Sequence, residues 1–408
     1  MKKSYLMIAA VATLMASCSD NDNFKEAVDN ENVLIGFETF HEKSTRAAVT
    51  TRTDLTTDNG GFGVFGYNHT DERAVTNGSI SMSTTGTTKV FNNVKVWYQQ
   101  GADTDGFTYA VPKYWDKYKF YTFFAYAPWN ESAVTLTEGT GKFVRTDVKS
   151  LQSTNNASSV TVGSISRVKY VDANETAVTD YLIATCVTGQ KYNGTNQSSN
   201  TYTGKEKTVG FTFSHILSKL NVTVKAKDEA SGHKYLGVKD IQVKSLNIEN
   251  LPNASTNLTY NQNAADGVAG TFSTTNYETT LNIITGSNAL TTDPLYILDG
   301  GANGESLTAP TTYIDQAFHY WIAPNKPTGT DHDNYILNID YIINYVDGTS
   351  DPFTRRLDLS GATTAFTSMA QNNIYNITVT IALDQIYFDV DQIVDWATPE
   401  NNTDVEFN

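Results

Sequence analysis

Cys18 sits where a thiol could be chemically modified during export. It follows a basic start, Met1-Lys2-Lys3, an apolar run from Tyr5 to Met15 and the small residues Ala16-Ser17. This order is typical of a secretory signal peptide, because a membrane-spanning helix needs about 20 apolar residues. In bacterial lipoproteins the residue after the cut is a cysteine whose thiol takes a diacylglycerol before cleavage. The sequence therefore predicts a lipoprotein signal peptide over residues 1–17 and lipidation, with palmitate, at Cys18. The alternative is an ordinary signal peptide followed by an incidental cysteine.

A second stretch, Thr45-Arg46-Ala47, places an arginine just after a short alternating segment. Val33, Ile35 and Phe37 alternate as one face of a strand would. If the chain were cut after Arg46, that strand could leave, and the edge and apolar groove beneath it would invite another strand. The tether and removable strand are thus assigned to residues 18–46.

The end of the chain carries a matching pattern. Val405 and Phe407 alternate after a polar stretch that contains proline, "DWATPENNTDVEFN". A short strand of this kind could enter a neighbour's groove, so Val405 and Phe407 are the predicted donor-strand residues.

The sequence offers no catalytic or metal-binding constellation. The histidines lack helical spacing and cysteine partners, and no P-loop or nucleophile elbow occurs. Asp331-His332-Asp333 is the best local metal candidate, and a solvated loop explains it better. His215 is interpreted as a structural histidine. We expect no metal, no cofactor and no enzyme activity.

Composition narrows the class of protein further. The 408 residues carry a formal net charge of -15, and a pI near 4.8 argues against nucleic acid, which requires Lys and Arg. Only 18% of residues are charged, and hydroxylic, amide and tyrosine residues abound, as suits β-strands. With Cys18 acylated, Cys186 has no partner, and its apolar neighbours indicate an inert buried thiol.

Strand-like runs separated by Gly, Asn, Ser and Thr clusters predict an all-β chain of antiparallel sheets. The aromatic run "YKFYTFFAYAPWN" places Tyr118, Phe120, Thr122 and Phe124 on one face. A sandwich core explains these rings better than a sugar-binding surface. The polar segment "KDEASGHK", Lys227 to Lys234, suggests a division near residue 228, with one β-sandwich domain over residues 47–228 and another over residues 229–408.

An ordered set of segments carries a family resemblance across nearly the whole chain. They are "IGFE" followed by "TRA", "GFGVFGY", "FYTFFAYAP", "DYLIAT", "FTFSHILSKLNVTV", and "NNIYNITVTI" with "VDW" near the end. In this order the chain resembles the fimbrillins, the type V pilin subunits of Bacteroidales. The resemblance implies two tandem β-sandwich domains of transthyretin-like, Greek-key type, in agreement with the strand pattern.

The resemblance also implies a function and partners. An arginine- or lysine-directed (trypsin-like) protease would cut between Arg46 and Ala47, and Arg52 is an alternative cleavage site. The alternative interpretation is that Arg46 is an ordinary exposed arginine in a linker and is not cut. Other pilin subunits would then exchange strands to build a fimbria that supports cell adhesion. The acidic stretch after Cys18 resembles the outward-sorting signal of Bacteroidales surface lipoproteins. The expected location is the outer membrane surface, with membrane contact only through the lipid anchor. The alternative is a monomeric surface lipoprotein of the same fold that binds a glycan or host protein, and a secreted hydrolase is a distant third.

Overall fold

The computed structural model describes residues 34–41, 55–56, 60–70, 75–76, 79–80, 87–100, 106–116, 118–137, 141–153, 155–172, 178–184, 186–191, 208–227, 235, 237–251, 258–263, 270–273, 279–284, 294–300, 312–323, 335–359, 369–383 and 386–393. All named elements within these residues are β-strands, which confirms the all-β prediction. In chain order they are β1 (Gly36–His41), β2 (Phe62–His69), β3 (Val75–Thr76), β4 (Ser79–Ile80), β5 (Thr87–Gln99), β6 (Gly106–Tyr109), β7 (Phe120–Ala127), β8 (Val134–Thr137), β9 (Lys142–Val148), β10 (Gln152–Ser153), β11 (Asn155–Val162), β12 (Ile165–Asp172), β13 (Leu182–Ala184), β14 (Val187–Lys191), β15 (Thr208–His215), β16 (Ser218–Ala226), β17 (Val238–Leu251), β18 (Leu258–Asn263), β19 (Thr271–Ser273), β20 (Thr279–Ile284), β21 (Leu295–Asp299), β22 (Thr312–Tyr313), β23 (Gln316–Ile322), β24 (Ile336–Tyr345), β25 (Ser350–Asp358), β26 (Ile374–Ile381) and β27 (Ile386–Ile393).

The largest sheet, which we call the N-terminal sheet, curls until its two ends meet. Its strand order is β1-β15-β13-β7-β2-β5-β6, and β14 also pairs with β7. At the meeting point the Ile35 N–H donates to the Lys113 carbonyl oxygen at 2.9 Å, and Leu34 forms an antiparallel bridge with Tyr114. The first strand therefore closes the curl between β15 and the segment that follows β6.

The inner face of the curl encloses a core rich in aromatic side chains. Its buried members are Ile35, Phe37, Leu55, Phe62, Val64, Phe91, Val96, Tyr109, Trp115, Tyr121, Phe123, Ala125, Ala127, Leu182, Ala184, Val209, Phe211 and Phe213. Because successive side chains of a strand point to opposite faces, alternate residues of β2, β7 and β15 supply these groups.

The central strand β7 is buried on both faces, because a second sheet covers its outer side. This cover sheet has the order β19-β18-β9-β8, and Phe124 and Tyr126 of β7 lie in the core between the two sheets. The core interpretation of the aromatic run is thus confirmed for Phe120, Thr122 and Phe124. It is wrong for Tyr118, which precedes the strand and is 73% exposed.

The C-terminal half forms a β-sandwich. One sheet has the order β10-β23-β16-β26-β27, and the other has the order β22-β21-β17-β24-β25 with β20 also paired to β17. In β16 and β26 alternate side chains face inward, from Leu220 to Ala226 and from Tyr375 to Ile381. These residues and the inward side of β17 and β24 build one continuous core.

A hairpin from the first half, β11 and β12, is fastened to this sandwich. The Tyr170 N–H donates to Gln316 Oε1 at 2.8 Å, and Gln316 Nε2 donates to the Tyr296 carbonyl oxygen at 2.7 Å. Arg167 pairs with Asp299 and lies over the Tyr296 ring. Buried polar contacts of this kind fix the hairpin in one position, because leaving Gln316 unpaired would carry a desolvation cost.

The two halves interlock along the chain. β9 pairs with β18, so the cover sheet joins strands from before and after the predicted division near residue 228. The chain leaves the N-terminal sheet at His215 and enters the C-terminal sandwich at Ser218, with Ile216 and Leu217 between them. The division into domains over residues 47–228 and 229–408 stays a prediction. The strand pairing shows only that the chain passes from one sheet to the other at Ile216 and Leu217. Among the described residues, no helix has the length and apolar character needed to cross a membrane.

Candidate functional site

The first strand lies at the end of a hydrogen-bonded row of strands. β1 pairs in parallel with β15, from Gly36 opposite Thr208 to His41 opposite Phe213. The other edge of β15 pairs with β13. β1 is therefore joined to the rest of the ladder mainly through one edge, and its removal would open the backbone groups of β15.

Phe37 fills a pit lined by five aromatic rings. Its ring is stacked on Phe211 at 5.8 Å between centroids, and four others meet it edge to face at 5.3 to 6.3 Å, namely Phe62, Phe91, Tyr109 and Phe123. Phe37 is 3% exposed and Ile35 is fully buried. Edge-to-face and offset contacts are the favoured geometries of aromatic pairs, so the pit is specific for a ring at this position.

The start of the strand is held from its other side. Tyr109 Oη donates to the Ile35 carbonyl oxygen at 2.7 Å, while the Ile35 N–H donates to the Lys113 carbonyl oxygen. Burial raises the pKa of Tyr109 to about 12, so its hydroxyl remains a donor throughout the ordinary pH range. These contacts read only the backbone at Ile35, and any strand in the same place could make them.

We call this arrangement the first-strand seat. It comprises the edge of β15 that pairs with β1, the five rings around Phe37 and the backbone of Lys113 and Tyr114. The seat is apolar inside and bordered by hydrogen-bonding groups, which are the two properties that β-strand addition requires.

Of the residues predicted from sequence, the structure places two in this seat. Ile35 and Phe37 share the buried face of the first strand, as their alternation predicts. Val33, Cys18, Arg46, Ala47, Arg52, Val405 and Phe407 lie outside the described residues. The sequence analysis missed Tyr109 and Lys113, because their contacts with Ile35 join segments more than 70 residues apart. The one local feature in the sequence that could have pointed to this contact is the tyrosine at the end of β6.

Three of the described histidines have a structural partner. His69 Nε2 lies 2.9 Å from Thr122 Oγ1, His215 Nδ1 lies 2.8 Å from Asp180 Oδ1, and His319 Nδ1 lies 2.7 Å from Asn221 Oδ1. The structural interpretation of His215 therefore agrees with its buried contact. Among the residues that the structure describes, no group of three His, Cys, Asp or Glu side chains is placed to hold a metal ion. His332 and its neighbouring aspartates lie outside them.

Cys186 is a free thiol beside the core under the cover sheet. Burial raises the pKa of this thiol, which disfavours the reactive thiolate. Its side chain is half-buried rather than fully buried as expected. The shifted pKa nevertheless supports the prediction of an unreactive cysteine.

The solved structures that match this chain include three fimbrial proteins. A fimbrial protein from Bacteroides vulgatus is 17% identical, with a TM-score of 0.46, and the match covers 89% of this chain and 99% of that one. A fimbrial assembly protein from Parabacteroides distasonis is 10% identical, with a TM-score of 0.31 and coverage of 89% and 97%. The tip fimbrial protein Mfa3 from Porphyromonas gingivalis is 9% identical, with a TM-score of 0.29 and coverage of 83% and 96%.

These three neighbours are proteins of Bacteroidales. No family model and no curated protein matches the chain. Because the identities lie below 25% and the TM-scores below 0.5, what the chain does has to follow from its own residues.

Proposed function

We propose that this protein is a non-catalytic subunit of a cell-surface fimbria that assembles by strand exchange and supports adhesion. It would be exported as a lipoprotein with Cys18 acylated, and a trypsin-like protease would then cut after Arg46. The observation that carries the proposal is the position of β1, a strand near the start of the chain that fills a deep apolar seat.

Covalent connectivity favours a removable strand. The first strand is connected to the rest of the chain through residues 42–54, which contain Arg46 and Arg52. The chain has two cysteines, and the described one, Cys186, is free. One cut in this interval therefore leaves the first strand attached to the body only by non-covalent contacts.

The proposed donor has the same side-chain pattern as the strand that it would replace. Val405-Glu406-Phe407 repeats the order β-branched residue, spacer, phenylalanine of Ile35-Gly36-Phe37. If the donor runs parallel to β15, Val405 takes the place of Ile35 and Phe407 enters the aromatic pit. Glu406 then occupies the outward-facing position of Gly36, between the exposed positions of Leu34 and Glu38.

Proteolysis of the purified precursor tests this assembly. Cutting by a trypsin-like protease should release the N-terminal fragment and convert monomers into SDS-resistant ladders, because open backbone groups and an empty apolar seat favour a replacement strand. The precursor should stay monomeric. The variant Lys43→Ala, Arg46→Ala, Arg52→Ala has no Lys or Arg left between residues 42 and 54 and should keep its own strand, whereas a chain truncated before Asp404 should be cut without forming ladders.

The same experiment distinguishes strand exchange from the alternative function. If the trimmed protein remains a soluble monomer while the fragment is released, strand exchange is wrong. A monomeric surface lipoprotein that binds a glycan or host protein would then be the better description.

A further inference from the structure

The loop between β6 and β7, which contacts the start of the first strand, carries three large exposed hydrophobic side chains. Among the described residues the large exposed ones are Leu34, Val111, Tyr114, Tyr118 and Leu383, and all but Leu383 belong to the loop between β6 and β7 or contact it. Val111 is 61% exposed, Tyr114 47% and Tyr118 73%. A concentration of apolar side chains at one place on a surface marks an interaction site more often than scattered ones do.

The loop that presents these side chains is anchored from below. Trp115 is buried, and its ring meets Tyr121 edge to face at 4.7 Å. The Asp116 N–H donates to Tyr121 Oη at 2.7 Å, and Asp116 Oδ1 accepts from the Tyr118 N–H at 2.9 Å. The two exposed tyrosines are therefore displayed on a fixed support, which lowers the entropic cost of binding.

The charge of the loop favours an acidic partner. Lys113, Lys117 and Lys119 accompany a single acid, Asp116, within a chain whose net charge is -15. The chain's own C-terminal segment, residues 391–408, contains five acids and no Lys or Arg, namely Asp391, Asp395, Glu400, Asp404 and Glu406. Opposite charges on two surfaces steer association and suppress wrong partners.

We propose that this loop, residues 110–119, is a second docking surface for another copy of the chain, and that it binds the acidic segment ahead of the donor strand. The proposal rests on the proposed function, since it places that segment by the register of Val405 in the seat. With Val405 at the place of Ile35, Asp404 falls opposite Tyr114 and next to Lys113.

The direction of the existing bridge extends this placement. Leu34 and Tyr114 are paired antiparallel, so residues earlier in the incoming segment run beside residues later in the loop. Glu400, four residues before Asp404, then lies toward the later residues of the loop, which include Lys119. The first-strand seat thus binds Val405 and Phe407, whereas the loop binds the acidic residues that precede them.

Peptide binding to the trimmed subunit that is truncated before Asp404, and therefore forms no ladders, tests the proposal. The probe is a synthetic peptide of residues 395–408, and its affinity is measured by calorimetry at two salt concentrations. Tyr114→Ser with Tyr118→Ser should weaken binding roughly tenfold, since tyrosine side chains that become buried at an interface are among the main contributors to affinity. Lys113→Glu with Lys119→Glu should weaken it and reduce its salt dependence.

Two controls distinguish binding by the loop from binding by the first-strand seat. Leu383→Ser removes the exposed hydrophobic residue outside the loop and should leave binding unchanged. A second peptide, with residues 395–404 replaced by Gly and Ser, should bind more weakly and respond to none of the loop variants.

The outcomes distinguish the two proposals. If Val405→Ser with Phe407→Ser in the peptide abolishes binding but the loop variants have no effect, strand exchange stands and the docking surface is wrong. If neither peptide binds, both are wrong. Loop variants that abolish attachment to a glycan or host protein, but leave peptide affinity unchanged, also overturn this proposal in favour of a different partner.

Discussion

At the scale of single residues, Tyr109 makes two different contacts with the first strand, one to its backbone and one to a side chain. Its hydroxyl donates to the Ile35 carbonyl oxygen, and its ring packs against Phe37. Because the hydrogen bond reaches only a main-chain atom, Tyr109 can hold either the original strand or a replacement. It therefore serves the seat in both states of the proposed assembly.

Tyr109→Phe should remove this hydrogen bond and keep the ring. We expect the free energy of unfolding of the precursor to fall by about 1 kcal/mol, the usual net contribution of one buried hydrogen bond. Urea denaturation measures the change. Tyr114→Phe, on the exposed surface of the neighbouring loop, is the matched control and should change stability by less than about 0.5 kcal/mol. Equal effects of the two variants would argue against a stabilising role for the hydrogen bond from Tyr109 to Ile35.

Arg145 is the largest buried cation among the described residues, and it supports the strand that carries the aromatic pit. Its Nε lies 2.6 Å from Asp147 Oδ1, its Nη1 donates to the Ala127 carbonyl oxygen at 2.9 Å, and its guanidinium lies 4.5 Å from the centre of the Tyr181 ring. A buried guanidinium needs such partners, because an unpaired charge in a core is costly.

Arg145→Met should destabilise the fold by about 3 kcal/mol, since it removes the cation that pairs with Asp147 and the donor to the Ala127 carbonyl, and leaves Asp147 only the Asn130 amide as a side-chain donor. Chemical denaturation followed by tryptophan fluorescence measures the loss. Arg355→Met, on an exposed position of β25, should cost less than about 0.5 kcal/mol. A loss below about 1 kcal/mol at Arg145 would show that water replaces its partners.

At the scale of elements, alternation in the sequence is sufficient to predict the strands but not their neighbours. Ile35 and Phe37, Leu220 to Ala226 and Tyr375 to Ile381 all show the period of two that places one face in a core. Their pairing depends on registers between distant segments, which local pattern does not encode. The sequence therefore predicted the buried face of the first strand, but not its partner β15.

The same limit explains the larger differences. The cover sheet joins β9 to β18, and the hairpin of β11 and β12 lies across the C-terminal sandwich. A polar stretch at Lys227 looked like a boundary because polarity is a local property. The passage between sheets at Ile216 and Leu217 is apolar, since both side chains are buried in the core beneath the cover sheet. Likewise, Tyr118 continued an aromatic alternation that stops when the chain leaves the sheet.

At the scale of the whole molecule, buried tyrosines make the stability of the fold depend on pH. Burial raises the pKa of Tyr109, Tyr126 and Tyr260 to about 12, from an ordinary value of 10.0. A raised pKa means that the folded state holds the phenol proton more tightly than the unfolded state does. The associated stability is therefore complete below pH 10 and is lost as the pH rises through about 12.

We accordingly expect cooperative unfolding in that alkaline interval. Absorbance of the phenolate should rise in two stages, first for exposed tyrosines such as Tyr118 and then, together with the loss of β-sheet circular dichroism, for the buried ones. Reversal on return to pH 8 is the control for chemical damage. A single stage near pH 10 with the fold intact would contradict the assigned burial.

The central claim concerns the whole molecule, because it says that one strand can be exchanged while the rest persists. Hydrogen exchange of the peptide that covers β15, residues 208–215, reports on the seat most directly, since these amides border the first strand. We predict strong protection in the precursor, loss of protection in the trimmed monomer that lacks residues 404–408, and recovery in the assembled ladder, with the C-terminal β26 unchanged throughout. Equal protection of residues 208–215 before and after release of the first strand would contradict the account.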